Sequence, residues 1–396
     1  MVNNLNPICA RRTVLSASIL ACLLLTVAEA QAETSYTFTD LYTNTWNAST
    51  HNAAEITGIN NSGTVVGSFQ PSSTTTIDGT KLKGGSTYGF VGNTLFNPSY
   101  STAAGGALGA NNDITGINSN GIIVGIINAT GLGGLNSGAG TSFVAAPTYS
   151  TPIQVLDTFN GSGANSNETA SNLAYTYAQG INDNGLVVGW NSFVSGANDA
   201  FVYNSSAGTV DGIAAGTYKD INLSSYAGGA QFNGINNAGV AVGTVVDTTT
   251  GYADGLIYNI NTNANYEFSI SGSTNTLVTA INPGTSGALA GVDEIAGIWT
   301  DASGADHGFV GIWNGSSVTY LNQNLIPGDI AGTNSVYAIT GINDSGKLAG
   351  YYQNSTSNVV NGFTATANAA AVPLPGAVWL MGSALVGIGF SRRRQA

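Results

Sequence analysis

The chain has 396 residues, 43% of them hydrophobic but only 8% charged, with 54 glycines and a formal net charge of −12. That balance excludes a protein built from amphipathic helices and points to turn-rich β structure. Between residues 33 and 371, four lysines face twenty acidic residues with no arginine, a net −16 that repels phosphate backbones and excludes a nucleic-acid partner.

Residues 1–32 read as a signal peptide. Arg11 and Arg12 precede an apolar run over 14–27, and cleavage sites end at Ala30 or Ala32. The apolar run is shorter than a membrane span, so removal is expected rather than retention. Both cysteines, Cys9 and Cys22, fall inside this leader. The exported chain therefore has no disulfide and no thiolate metal site, and packing alone must hold it together.

After the leader, residues 35–41 (SYTFTDL) read as one isolated strand. Then a hairpin unit repeats: ITGINNSGTVVG, ITGINSNGIIVG, AQGINDNGLVVG, FNGINNAGVAVG and ITGINDSGKLAG, with AINPGTSGALAG as a lengthened copy. The repeated asparagines are Asn60, Asn118, Asn182, Asn236, Asn282 and Asn343. Asn opens a type I turn because its side chain bonds the backbone ahead. The glycine three places on (Gly63, Gly121, Gly185, Gly239, Gly346) is expected to take the left-handed conformation of a bulged hairpin. Gly58, Gly116, Gly180, Gly234, Ala280 and Gly341 stand two places before the asparagine, and a residue that small in a strand implies close packing over it.

A third strand follows each hairpin, centred on Phe90, Phe143, Phe201, Leu256, Phe309 and Phe363, and a fourth follows all but the last. One strand short at the end and one spare at the start suggest a circle. The expected fold is an all-β, six-bladed β-propeller over 33–368, with four-stranded blades and the N-terminal strand closing the last one. A β-solenoid is the other architecture considered, although its rungs are usually shorter than this period. The unit also resembles the HAF-type extracellular repeat, on its GIN-N-x-G-x-VVG core and on HGF at His307–Phe309. That resemblance implies a secreted protein and no particular reaction.

Residues 369–396 form a separate tail. Pro373 and Pro375 isolate it, residues 376–390 carry no charge, and Arg392, Arg393 and Arg394 close it. A helix over the apolar part would be about 22 Å long, a marginal transmembrane helix with the arginines on the cytoplasmic side. This tail closely resembles the PEP-CTERM sorting signal in its VPLPA-type variant, on Val372-Pro373-Leu374-Pro375, Trp379-Leu380, Gly382-Ser383 and the three arginines. The resemblance implies processing by an exosortase, transient inner-membrane association and release to the cell surface or an exopolysaccharide matrix. Leu374 and Gly376 depart from the commonest form, which leaves the exosortase subtype open.

Few residues suggest catalysis, and none is assigned a catalytic role. His51 and His307 are the only histidines, and neither has a nucleophile-elbow neighbour. No P-loop, dinucleotide fingerprint or zinc-protease motif is present, so no cofactor is expected. Asp293, Glu294, Asp301 and Asp306 cluster along the chain and could serve a glycosidase, while Asp301 and Asp306 are the faint candidates for calcium. Trp46, Trp190, Trp299 and Trp313 could pack blades or stack on sugars. The expected role is a non-enzymatic surface or matrix protein that presents a propeller to extracellular polysaccharide or protein. The alternative is a secreted glycan-cleaving enzyme using Asp and Glu.

Overall fold

The computed structural model describes residues 34–41, 51–77, 80–96, 112–127, 141–146, 154–156, 173–193, 198–221, 223, 229–247, 249–282, 292–325, 333–354 and 360–368. All of them fall in one compact unit, Thr34–Ala369. The leader, Trp46 and the sorting tail, with Val372 to Pro375 and Arg392 to Arg394, lie outside the described residues. Among the described residues the structure is all-β, and no helix is long and apolar enough to cross a membrane.

The strand β1 (Tyr36–Asp40) comes first. The first unit holds β2 (His51–Ile59), β3 (Val65–Pro71), a small side hairpin β4 (Thr75–Ile77) and β5 (Thr80–Leu82), then β6 (Tyr88–Val91) and β7 (Thr94–Leu95). The second holds β8 (Asn112–Ile117), β9 (Ile123–Ile127), β10 (Thr141–Ala145) and β11 (Gln154–Leu156). The third holds β12 (Leu173–Ile181), β13 (Leu186–Phe193), β14 (Asn198–Asn204) and β15 (Tyr218–Ile221). The fourth holds β16 (Ala230–Ile235), β17 (Val240–Val246), β18 (Ala253–Asn259) and β19 (Ala264–Phe268). The fifth holds β20 (Ser273–Ile281), β21 (Asp293–Asp301), β22 (Asp306–Trp313) and β23 (Val318–Leu325). The sixth holds β24 (Thr333–Ile342), β25 (Leu348–Asn354) and β26 (Val360–Ala367).

Within each unit, neighbouring strands pair antiparallel in chain order. β1 supplies the fourth strand of the last unit by pairing with β26, from Tyr36 opposite Ala367 to Asp40 opposite Phe363. Phe38 meets Phe363 edge-on at 5.2 Å, and the amide of Asn368 donates to the carbonyl of Ser35. Single parallel bridges, Ala53 to Val360 and Ala253 to Asn275, join neighbouring units.

The turns show why this sequence makes these hairpins. In the first unit the amide of Gly63 donates to the carbonyl of Asn60, and Asn60 Oδ1 accepts from the amide of Thr64. Gly63 has φ of +81°, a conformation that a side chain would strain. The equivalent glycines 121, 185, 239 and 346 have φ of +77°, +86°, +75° and +70°. Each inner strand then carries a β-bulge at the same place, between Ile56 and Gly58 in the first unit and between Ile339 and Gly341 in the last.

The bulged residue reaches sideways to the next unit. Thr57 donates to the carbonyl of Ile114, Thr115 to Ala178 at 2.6 Å, Asn233 to Val278 at 2.9 Å, and Thr279 to Ile339. Thr340 donates to the carbonyl of Ile56 at 2.6 Å, which returns the series to its start. A parallel series joins the turn asparagines: Asn60 Nδ2 donates to the carbonyl of Asn118, Asn118 to Asn182, Asn182 to Asn236, and Asn343 back to Asn60. These side chains are buried and satisfied at both ends, so they fix the spacing between units as well as the turns.

Apolar packing follows the same plan, with each cluster filling a junction. Val124 and Val144 of the second unit meet Ala178, Val187 and Phe201 of the third. Ala296 and Val310 of the fifth meet Ile339, Leu348 and Phe363 of the sixth. Ala349 of the sixth meets Ile56, Phe69 and Phe90 of the first. Inner strands approach so closely that a Cβ on Gly180 would lie 3.0 Å from the Cα of Gly234.

Candidate functional site at the channel mouth

The close approach of the inner strands leaves a narrow central channel of about 60 Å³. It is lined in every unit by the bulged residue, the small residue after it and an isoleucine, as in Thr57, Gly58 and Ile59. Its walls are thus small, neutral and nearly identical all round. The buried asparagine layer sits at the turn end. Side chains also vary toward the strand starts.

Two residues before the bulge, the inner strands carry Glu55, Asp113, Tyr177, Gln231, Leu277 and Ala338. Their partners on the second strands are Ser68, Ile126, Trp190, Thr244, Ile298 and Tyr351. The first two units therefore place acids on neighbouring inner strands, and the third places an aromatic pair at the same level.

Asp113 perturbs Glu55. Burial raises the Glu55 carboxyl above its ordinary range, and the charge of Asp113 raises it further. Burial also raises Asp113, opposed by a hydrogen bond from Ser68, while its Oδ1 is buried without a hydrogen-bond partner. Burial, then the charges of Glu55 and Asp113, push the Tyr351 hydroxyl up to about 12, so it stays a donor. Two carboxyls in one low-dielectric site do not ionise independently, and one of them holds its proton more firmly. Beside them Tyr177 and Trp190 stack with centroids 4.1 Å apart and planes 27° apart. Tyr175 continues the platform 5.8 Å from Tyr177, and at 38% exposure it opens to solvent. Acids, a phenol and a flat apolar face suit a ligand with hydroxyl edges and apolar faces.

The acids that cluster along the chain split into two pairs at opposite ends of β21, Asp293 with Glu294 and Asp301 with Asp306. Asp293 and Glu294 begin β21 and Asp301 ends it, so about 25 Å of extended strand separates them, far beyond a glycosidase spacing. Asp293 accepts from Asn236 Nδ2 at 2.8 Å and belongs to the asparagine layer. Asp301 is held well below the usual carboxylate range, first by the Ser303 hydroxyl and then by His307, with the Ala305 amide adding to them. Its Oδ1 accepts from Ser303 and Ala305 and its Oδ2 faces His307 Nε2 at 3.1 Å, which leaves the turn already saturated. Asp306 accepts from Thr300 Oγ1 at 2.7 Å. His307 stacks on Trp299 at 4.5 Å, and Trp299 Nε1 donates to the carbonyl of Gln323. Among the described residues no three His, Cys, Asp or Glu side chains converge as a metal site.

Sequence reading did not single out Glu55 and Asp113. The signal was present: both stand five places before a turn asparagine, in consecutive units.

Fold and site together define a β-propeller with a polar, aromatic-flanked channel mouth. No family model matches the chain, and no curated protein matches it. Among solved structures it is similar to one assigned to TolB from Agrobacterium tumefaciens, at TM-score 0.44 and 9% identity, covering 85% of this chain and 99% of that one. It is also similar to the β-propeller domain of the Trilobed protease from Pyrococcus furiosus, at TM-score 0.34 and 7% identity, covering 65% and 70%. A third is Aleuria aurantia lectin with α-methyl-L-fucoside, at TM-score 0.37 and 10% identity, covering 83% and 98%. The functional reading therefore rests on this chain's own residues.

Proposed function

We propose that residues 33–368 form a six-bladed β-propeller, closed by β1, that acts outside the cell as a non-enzymatic glycan-binding protein. Residues 1–32 export it. Residues 369–396 hold it briefly in the inner membrane until an exosortase processes the tail at Val372 to Pro375, with Arg392 to Arg394 on the cytoplasmic side. The observation that carries the binding reading is the mouth layer itself: Glu55, Asp113 and Tyr351 beside the Tyr177–Trp190 stack. With no arginine between residues 33 and 371 and a net −16 there, the ligand is a neutral glycan rather than a uronic or sialic acid polymer.

Calorimetric titration of the exported chain with neutral and anionic polysaccharides tests this. Binding is expected for the neutral polymer, weakened at least about tenfold by Trp190→Ala or Tyr177→Ala. Unchanged affinity in both variants would remove the site. The Glu55–Asp113 pair also favours a second reading, glycan cleavage by a protonated and an ionised carboxyl. Reducing ends released by the wild type and abolished by Glu55→Gln and by Asp113→Asn would establish cleavage over display.

A further inference from the structure

We propose that the third unit binds a hard divalent cation of calcium's kind through Asn191, Asp199 and Asp220. Asn191 on β13 lies directly opposite Asp199 on β14. Asp220 on β15 lies opposite Phe201, two residues along from Asp199 and hence on the same face of the sheet. All three side chains therefore share one surface of the blade, facing the apolar cluster that contains Phe201.

Asn191 is only 1% exposed, and neither its Oδ1 nor its Nδ2 has a hydrogen-bond partner. Asp220 Oδ1 is likewise buried without one, and Asp199 is 6% exposed. Folded proteins seldom leave such groups unsatisfied, because each costs a desolvation penalty that nothing returns. Asp199 and Asp220 thus bring two carboxyl groups to the site beside the Asn191 amide.

The first two units show that the repeat does not demand this polarity, although the fourth carries Asp254 and Glu267 at the same positions. The first unit puts Phe69, Tyr88 and Leu95 at the same register positions, and the second puts Ile127, Thr141 and Val155 there. In the sixth unit they are Tyr352, Asn361 and Asp40, which bond to one another, although Asn361 Oδ1 is buried without a hydrogen-bond partner. There the Tyr352 hydroxyl donates to Asp40 at 3.1 Å, and Asn361 Nδ2 donates to Tyr352 at 3.3 Å. Among the described residues Asn191 and Asp220 Oδ1 have no such bond, and the cation supplies one.

The lysine next in the chain is engaged elsewhere. Lys219 neighbours Asp220, but its Nζ donates to the carbonyl of Ile260 and to Asn263 Oδ1, both at 2.8 Å. Two carboxylates and an amide oxygen are hard donors with no nitrogen or sulfur ligand, which selects calcium over zinc or copper, with water completing the shell.

The test is titration of the exported chain, first dialysed against chelator, with calcium chloride, read by calorimetry and by thermal unfolding. One calcium per chain and a raised Tm are expected. Asp220→Asn and Asp199→Asn each weaken binding at least about tenfold, as loss of a charged ligand requires, while Asp301→Asn leaves it unchanged. A chain given the second unit's residues (Asn191→Ile, Asp199→Thr, Asp220→Val) keeps its fold and loses its response to calcium. No heat and no stabilisation up to about 10 mM calcium, beyond the range of extracellular modules, overturns the proposal. So does binding that survives Asp220→Asn unaltered.

Discussion

The turn asparagine does two jobs with one amide, and the two are separable by substitution. In the third unit Asn182 Oδ1 accepts from the amides of Leu186 and Asn184, while its Nδ2 donates to the carbonyl of Asn236 in the next unit. Asn182→Ala leaves buried groups unsatisfied on both sides of the junction. It should cost about 2–4 kcal/mol, measured by urea unfolding of the exported chain; a loss below about 1 kcal/mol would mean water replaces the side chain at no penalty. The local half of this chemistry is legible in sequence, because Asn-x-x-Gly specifies its own turn. The bond across the junction is not, since its acceptor lies 54 residues away. The same holds for the bulge residues, whose partners belong to the next repeat, and for Glu55 and Asp113, which only superposed repeats bring together. Acids adjacent in sequence attract attention, but an extended strand carries Asp293 and Asp301 apart.

At the level of elements, β14 and β15 form the strand pair whose stability depends most plainly on protonation. Asp220 is ordinarily a carboxylate of low pKa, raised here to about 6 by burial and then by Asp199. Folding therefore favours the protonated group. Its stabilising contribution is complete below the unfolded-state value and is lost as pH rises through about 6. In chelator, chemical unfolding across this window should show stability falling with pH, and Asp220→Asn should flatten the slope. A wild-type profile that rises or stays level would contradict the assigned burial. β1 teaches a complementary lesson. Its pattern is visible in residues 35–41, yet its partner, β26, lies more than three hundred residues away, and β-propensity alone names no partner. Short fourth strands such as β7 and β11 are the least legible, because two or three residues carry little alternation.

For the whole molecule, the decisive division lies between the repeat and the two ends proposed to direct it. Deleting residues 372–396 should abolish C-terminal processing and shift the protein among cell fractions, while far-UV circular dichroism and Tm of the repeat stay the same. An unchanged distribution would remove the sorting proposal and leave the glycan site standing, since the two rest on different residues. The all-β class is legible from composition and period together: few charges, abundant glycine and a hairpin rewritten six times. The contents of the channel mouth are not, because the repeat fixes backbone positions and leaves their side chains free to vary.

One dimension of the molecule limits how any long polymer can meet it. The axial hole of about 60 Å³ has room for a few waters and none for a sugar ring. A strand of polysaccharide cannot be drawn through it like thread through a bead. Under the proposed glycan-binding role it must lie across the rim, where it is held anywhere along its length with no free end required, and several copies can fasten onto one filament at once.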